Sequence, residues 1–189
     1  MNILLIDPPF YRFFNYYNRY FPLGLSYLSS TLKKAGHQVT IYDADCNKNS
    51  KGMDYTRLPE KYLIYLKELK NPGNPIIKEI SEAFFKYQPD IVGITVMTPK
   101  AASAFTIASL AKKYNKDCSV VFGGPHATLK AEEILKNTRD VDFVVSGEGE
   151  VVLLELINAL QMKGNNFSTI QGLSYRQGDK TVHNTIRSF

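Results

Sequence analysis

The sequence predicts an α/β domain built on a parallel sheet with helices covering both faces. Three observations carry that expectation. Five short apolar runs alternate with stretches of helical periodicity, the order that produces right-handed strand–helix–strand crossovers. Four of the runs are apolar almost throughout, as strands buried on both faces must be; the second alternates and belongs nearer an edge. Four runs also stop at glycine, proline or hydroxyl punctuation, which places the irregular residues at one end of the sheet. Five strands in this order favour the flavodoxin-like (Rossmann-like) arrangement 2-1-3-4-5, in which ligands bind beyond the carboxyl ends of the strands, at the switch between strands 1 and 3.

In chain order, Asn2–Asp7 is the first strand. The aromatic loop from Pro8 to Phe21 is long for a strand-to-helix connection. It reads either as a binding loop or as packing over the sheet edge, and both remain open. Pro22–Ala35 is a helix with Leu25, Leu28 and Leu32 on one face and Gly36 as its stop. Gln38–Asp43 alternates as an edge strand, and a polar loop runs from Ala44 to about Asp54. Pro59–Leu69 and Pro75–Tyr87 are helices separated by the turn punctuation Asn71-Pro72-Gly73-Asn74-Pro75. One helix suffices for a crossover, so the first of them is read as an insertion. Strand Ile91–Val96, helix Ala101–Tyr114, strand Ser119–Phe122, short helix Leu129–Lys136, strand Asp142–Val145 and helix Glu150–Met162 complete the pattern. Gly164-Asn165-Asn166 ends the last helix. Leu173–Arg176 and Thr181–His183 flank Gln177-Gly178-Asp179-Lys180 as a hairpin, and Ile186-Arg187-Ser188-Phe189 has no further element to close on. The expected division is an α/β domain over 1–164 and a hairpin or linker over 165–189.

The 189 residues fit one domain, 44% hydrophobic and 22% charged, with enough apolar content for a full core. Net charge is +5, from 23 basic and 18 acidic residues. The basic residues are scattered as pairs such as Lys33-Lys34 and Lys112-Lys113, which read as solvated helix faces and imply no nucleic-acid partner. Two cysteines, Cys46 and Cys118, lie far apart and make neither a disulfide framework nor a zinc site; they fit a reducing cytosol. No leader pattern opens the chain and no run reaches the about 18–20 apolar residues of a membrane span. The expected location is cytoplasmic, with no membrane partner.

Asp7-Pro8-Pro9, Thr95-Val96-Met97-Thr98-Pro99, Gly123-Gly124-Pro125-His126 and Ser146-Gly147-Glu148-Gly149-Glu150 should therefore form one rim. It offers glycines and hydroxyls, not a catalytic constellation. No Gly-x-Gly-x-x-Gly follows the first strand and no Walker loop is present. A response regulator would need an acidic pair after strand 1 and an Asp after strand 3; a flavodoxin would need a Ser/Thr/Gly phosphate loop where prolines stand. Glu148 and Glu150 read as a turn and a helix start, where the macrodipole favours a carboxylate, before they read as a catalytic pair. His126 suits a metal, a phosphate or a backbone carbonyl, and no second His or Cys nearby supports a metal site.

Taken together, Asn2–Pro9, Pro22-Leu23-Gly24-Leu25-Ser26-Tyr27-Leu28, Gly36-His37-Gln38-Val39, Pro89–Thr95, Val121–His126 and Asp142–Glu150 give the chain a likeness to a known family. It resembles the N-terminal cobalamin-binding domain of cobalamin-dependent radical S-adenosylmethionine enzymes, and Ile170–Arg176 resembles the bridge into their radical domain. The resemblance implies that cobalamin is held by Pro8, Pro9, Gly93, Thr95, Met97, Thr98, Gly123, Gly124, Pro125, His126, Ser146, Gly147, Glu148 and Gly149. The glycines would admit tail and corrin to the backbone, the hydroxyls would meet corrin amides, and the loop Tyr11–Tyr20 would cover part of the lower face. Asp7 is followed by prolines, not by the Asp-x-His-x-x-Gly motif, so the implied cofactor is base-off with no histidine on cobalt. The Cys-x-x-x-Cys-x-x-Cys cluster motif is absent as well. S-adenosylmethionine and the [4Fe–4S] cluster would belong to a downstream radical domain, and the chain would be a fragment or stand-alone module of a methyl-transferring or related radical enzyme. The alternatives are a non-catalytic sensor or interaction module of the same fold, and a flavin- or nucleotide-binding domain.

Overall fold

In the computed structural model, which describes residues 1–16, 21–46, 58–162 and 166–186, seven strands form one sheet in the order β2-β1-β3-β4-β5-β6-β7. The strands are β1 (Asn2–Asp7), β2 (Gln38–Asp43), β3 (Ile91–Thr95), β4 (Ser119–Gly123), β5 (Phe143–Val145), β6 (Leu173–Gln177) and β7 (Lys180–His183). The first five are parallel in the order expected, with the alternating β2 on the outside; β6 and β7 are antiparallel. The helices are α1 (Leu23–Lys34), α2 (Leu58–Glu68), α3 (Pro75–Tyr87), α4 (Ala101–Tyr114), α5 (Pro125–Asn137) and α6 (Gly149–Gln161). Residues 47–54 of the expected polar loop, Tyr17 and Tyr20 of the aromatic loop, Gly164 and Asn165 of the expected helix stop, and Arg187–Phe189 lie outside the described residues.

Alternation along the strands sorts the core into two layers. Leu4, Ile6, Val92, Ile94, Val120, Phe122 and Val144 face α3, α4 and α5, with Ile80, Phe84, Ile107, Ala111 and Ile134 packed on them. Ile3, Leu5, Ile91, Val121, Phe143 and Val145 face α1 and α6, meeting Leu25, Leu32, Val152, Leu153 and Leu156. A satellite cluster gives the expected insertion a purpose. Phe10, Tyr65 of α2, Leu69 and Ile77 are buried together, with Phe13 and Phe14 of a 3-10 turn (Tyr11–Phe14) against them. Phe10 meets Phe14 and Tyr65 edge-on at 5.0 and 5.2 Å, the geometry aromatic quadrupoles favour. These aromatics pack on α2.

The sequence expects five strands and an appended hairpin, whereas the hairpin continues the sheet. β5 is only three residues long and would otherwise be an open edge. It pairs instead with β6 through Phe143–Tyr175, Val144–Ser174 and Val145–Leu173, and Leu173 is fully buried. Arg176 adds an anchor by donating to the carbonyls of Leu135, Thr138 and Val141 around the end of α5. The second difference is α5 itself. It begins at Pro125, directly after Gly124, and has an irregular residue at Lys130 (φ −124°, ψ 22°), so the expected short helix is only its second half. Proline suits this first helical position because its missing N–H would have no helical partner there.

Candidate functional site

On the α1/α6 face the rows of strand side chains are interrupted twice. Register places Gly93 between Leu5 and Val121, and Gly123 beside Thr95. Two adjoining strands therefore each lack a side chain near their carboxyl ends. Gly24 of α1 and Gly149 of α6 face the same gap from the helix side. What remains is a slot of about 200 Å³ walled by Leu5, Leu25, Leu28, Val121, Val145 and Leu153, with Thr95, Glu148 and Glu150 also on its lining.

The glycines of this edge are there for different reasons. Gly124 sits at φ +93°, ψ 178°, a region that only glycine adopts without strain. A Cβ there would lie 3.1 Å from both Thr95 Oγ1 and Val96 N, so the backbone itself requires this glycine. Gly123 is the opposite case: its nearest non-neighbour would be the Val145 carbonyl at 4.0 Å. Nothing lies within 4 Å of a Cβ on Gly24. At Gly93 a Cβ would meet only the movable tip of Leu5, at 2.7 Å. Fold packing leaves Gly123 and Gly24 unexplained, and both open onto the slot.

A second lobe of about 360 Å³ adjoins the slot, sharing Gly24, Leu25 and Thr95 with it. Its walls include Phe10, Tyr11, Phe21, Pro22, Met97 and Pro99, and two of its lining residues, Asp7 and Lys100, are charged. Lys100 Nζ donates to both Asp7 oxygens at 2.8 and 2.7 Å and lies 3.1 Å from Asp45 Oδ2. Asp45 is fully buried, and its other oxygen accepts from the N–H groups of Phe10 (2.7 Å) and Arg12 (2.9 Å). Burial raises the Asp7 carboxyl above its ordinary value; Lys100 pulls the other way, and Asp45 and Asp43 add repulsion. For Lys100 burial alone would lower the ammonium, but Asp45 and Asp7 outweigh it and hold it above its usual value. Lys100 precedes α4, where a helix dipole disfavours a cation; the two carboxylates are what make it tolerable there.

A hydroxyl relay holds the wall of this lobe. Tyr65 Oη accepts from Ser103 N (3.0 Å) and shares a 2.7 Å bond with Ser103 Oγ, which donates to the Pro9 carbonyl. Burial pushes the Tyr65 phenol up to about 12. The loop after β1 is thereby tied to α2 and to the first turn of α4.

Of the residues expected at the rim, Gly93, Thr95, Gly123, Gly124, Gly147, Glu148 and Gly149 line the slot, and Met97 lines the second lobe with Thr95. Pro8, Pro9, Thr98, Pro125, His126 and Ser146 line neither. Pro8, Pro9 and Ser146 are buried. His126 Nδ1 hydrogen-bonds with Thr98 Oγ1 at 3.1 Å, and the ring opens on a separate cleft that Phe105, Lys130 and Glu133 also line. The sequence marks Gly24, Leu25 and Leu28 as helix and family motif but does not place them at the site, and it does not reveal the Lys100–Asp45 pair. A signal existed for each: a glycine in the first turn of a good helix, and a lysine at a helix N-terminus. Among the described residues, no three His, Cys, Asp or Glu are grouped to hold a metal ion, and no helix is long and apolar enough to cross a membrane.

A family model described as B12 binding domain matches residues 13–157. A protein of Pyrococcus horikoshii described as an uncharacterized methyltransferase is 35% identical over 84% of this chain and 28% of its own length. The anaerobic magnesium-protoporphyrin IX monomethyl ester cyclase of Rubrivivax gelatinosus is 29% identical over 85% of this chain and 25% of its own. The chain thus spans about a quarter of the length of these curated relatives. The structure of the cobalamin-dependent S-adenosylmethionine radical enzyme OxsB, with aqua-cobalamin and S-adenosylmethionine bound, superposes with TM-score 0.67 over 99% of this chain and 22% of that one. At 21% identity that likeness establishes the fold.

Proposed function

This chain belongs to the B12-binding domain family, and on that premise we propose that it binds cobalamin at the carboxyl edge of β1, β3, β4 and β5. The observation that carries the reading is the slot: Gly123 and Gly24 leave room that the protein's own packing does not require. In this reading the nucleotide tail enters between the sheet and helices α1 and α6, over Gly93 and Gly123. The corrin rests across the second lobe, near Thr95, Met97 and the Asp7–Lys100 pair. Cobalamin supplies methyl-transfer chemistry that no side chain provides; the chain's part is to bind and orient it. None of the three histidines, His37, His126 and His183, lines either lobe, so the reading puts no histidine on cobalt, and a tail held in the slot would keep the cofactor base-off.

The module works, in this proposal, with a radical S-adenosylmethionine domain carried elsewhere in the same polypeptide, to which residues 165–189 lead. That domain would hold the S-adenosylmethionine and the [4Fe–4S] cluster. Support comes from the short span of this chain within its relatives and from exposed apolar side chains at the site: Phe21 and Met97 on the second lobe, and Ile186, which lies 3.4 Å from the Cβ position of Gly147. The test is reconstitution of the purified chain with hydroxocobalamin, desalting, and a visible spectrum. Retained corrin absorbance is expected. A folded but colourless chain overturns the reading and favours a sensor or interaction module, whereas retained yellow flavin points to the nucleotide-binding alternative.

A further inference from the structure

We infer that the slot chooses among corrinoids by the base of their nucleotide tail, accepting an apolar benzimidazole and discriminating against adenine. This rests on the cobalamin reading above and deepens it. The side chains that wall the slot's depth, Leu5, Leu25, Leu28, Val121, Val145 and Leu153, carry no hydrogen-bonding group. The polar side chains on its lining all belong to the carboxyl edge: Thr95 ends β3, Glu148 is exposed in the turn before α6, and Glu150 is in the first turn of that helix. The strand backbones at this level are already engaged, since β3 pairs with β4 through Gly93–Val121 and Thr95–Gly123. The ladder then continues as Val96 N donates to the Gly123 carbonyl at 2.7 Å, and Ser146 N donates to the Gly172 carbonyl at 2.9 Å.

A dimethylbenzimidazole attached to its sugar brings two methyl groups and one free ring nitrogen into such a slot. Adenine brings several ring nitrogens and an exocyclic amine, all of which give up water and find no partner in the depth. Each polar group left unpaired weakens binding by about tenfold or more. The difference is a matter of partners and not of size, because both bases are flat bicyclic rings.

The test compares three corrinoids on the same purified chain by absorbance titration: cobalamin, its analogue with adenine as the lower base, and cobinamide, which has no nucleotide tail. Cobalamin should bind at least tenfold more tightly than either of the others. Equal affinity for cobalamin and the adenine analogue overturns the selection. Equal affinity for cobalamin and cobinamide also overturns it, because the tail then gains nothing from the slot. If none of the three is retained, it is the cobalamin reading itself that fails.

Discussion

The two lobes of the site stand side by side on one sheet edge and are built by opposite means. The slot is made by omission: Gly93 and Gly123 remove side chains from two neighbouring strands, and the surrounding leucines and valines keep the space apolar. The second lobe is made by insertion: Lys100 is buried with Asp7 and Asp45, and a tyrosine–serine relay pins its wall. The two lobes therefore tolerate change differently. A slot of missing side chains costs the fold little, so substitutions there should register first in binding. A buried cation between two carboxylates has no slack, and removing it leaves like charges facing each other in a poor solvent.

Four variants test this contrast. Lys100→Met should be the most damaging to folding, with about 3–5 kcal/mol lost in urea unfolding at neutral pH. The loss should shrink in acid. The folded Asp7 carboxyl already titrates above its ordinary 3.8, so whatever stability its protonated form brings is complete below 3.8 and is lost as pH rises through the raised value; removing Lys100 exaggerates that dependence. In the unsubstituted chain the ammonium's contribution is complete below its ordinary 10.5 and disappears only as pH rises through its higher folded value, an alkaline transition the variant should lack. Gly124→Ala should follow, at about 1–3 kcal/mol by thermal or urea unfolding, because it forces a side chain into a glycine-only conformation. Tyr65→Phe should cost about 1–2 kcal/mol because the Ser103 N–H loses its acceptor and the Ser103 hydroxyl keeps only its bond to the Pro9 carbonyl, with Phe10 and the loop after β1 becoming more open to hydrogen exchange. Gly123→Leu should alter stability least, by under about 1 kcal/mol, yet reduce retained corrin at least tenfold. If Gly123→Leu unfolds the chain while Lys100→Met leaves it intact, the contrast between the lobes is wrong.

Gly124→Val is a poor test of ligand binding, although Gly124 looks equivalent to Gly123 in the sequence. The structure separates them: one is demanded by a positive φ and close backbone, the other has open space beside it. His126 shows the same limit from the other side. It is the rim residue that most invites a chemical role, yet its N–H donates to the Val96 carbonyl at 3.0 Å and its ring pairs with Thr98, away from both lobes. Asp7 is legible in the sequence as the end of a strand, a rim residue and the place where a cobalt-binding histidine motif would begin, but not as half of an ion pair. Its partner Lys100 lies on the far side of two crossovers, and Asp45 comes from the end of β2. No local pattern could join these three.

Local pattern was enough to give the order of the five parallel strands, the edge position of β2 and the end of the sheet where glycines gather. These follow from local periodicity and from connection rules that act on neighbouring elements. It took the assembled fold to show that the hairpin extends the sheet, that Gly24 of α1 faces Gly123 across a slot, and that one lysine is shared by two carboxylates. The physical reason is that register and helix docking bring together atoms from distant parts of the chain. A side chain's solvent, partner and charge state are set by that assembled neighbourhood and not by the residues beside it in sequence.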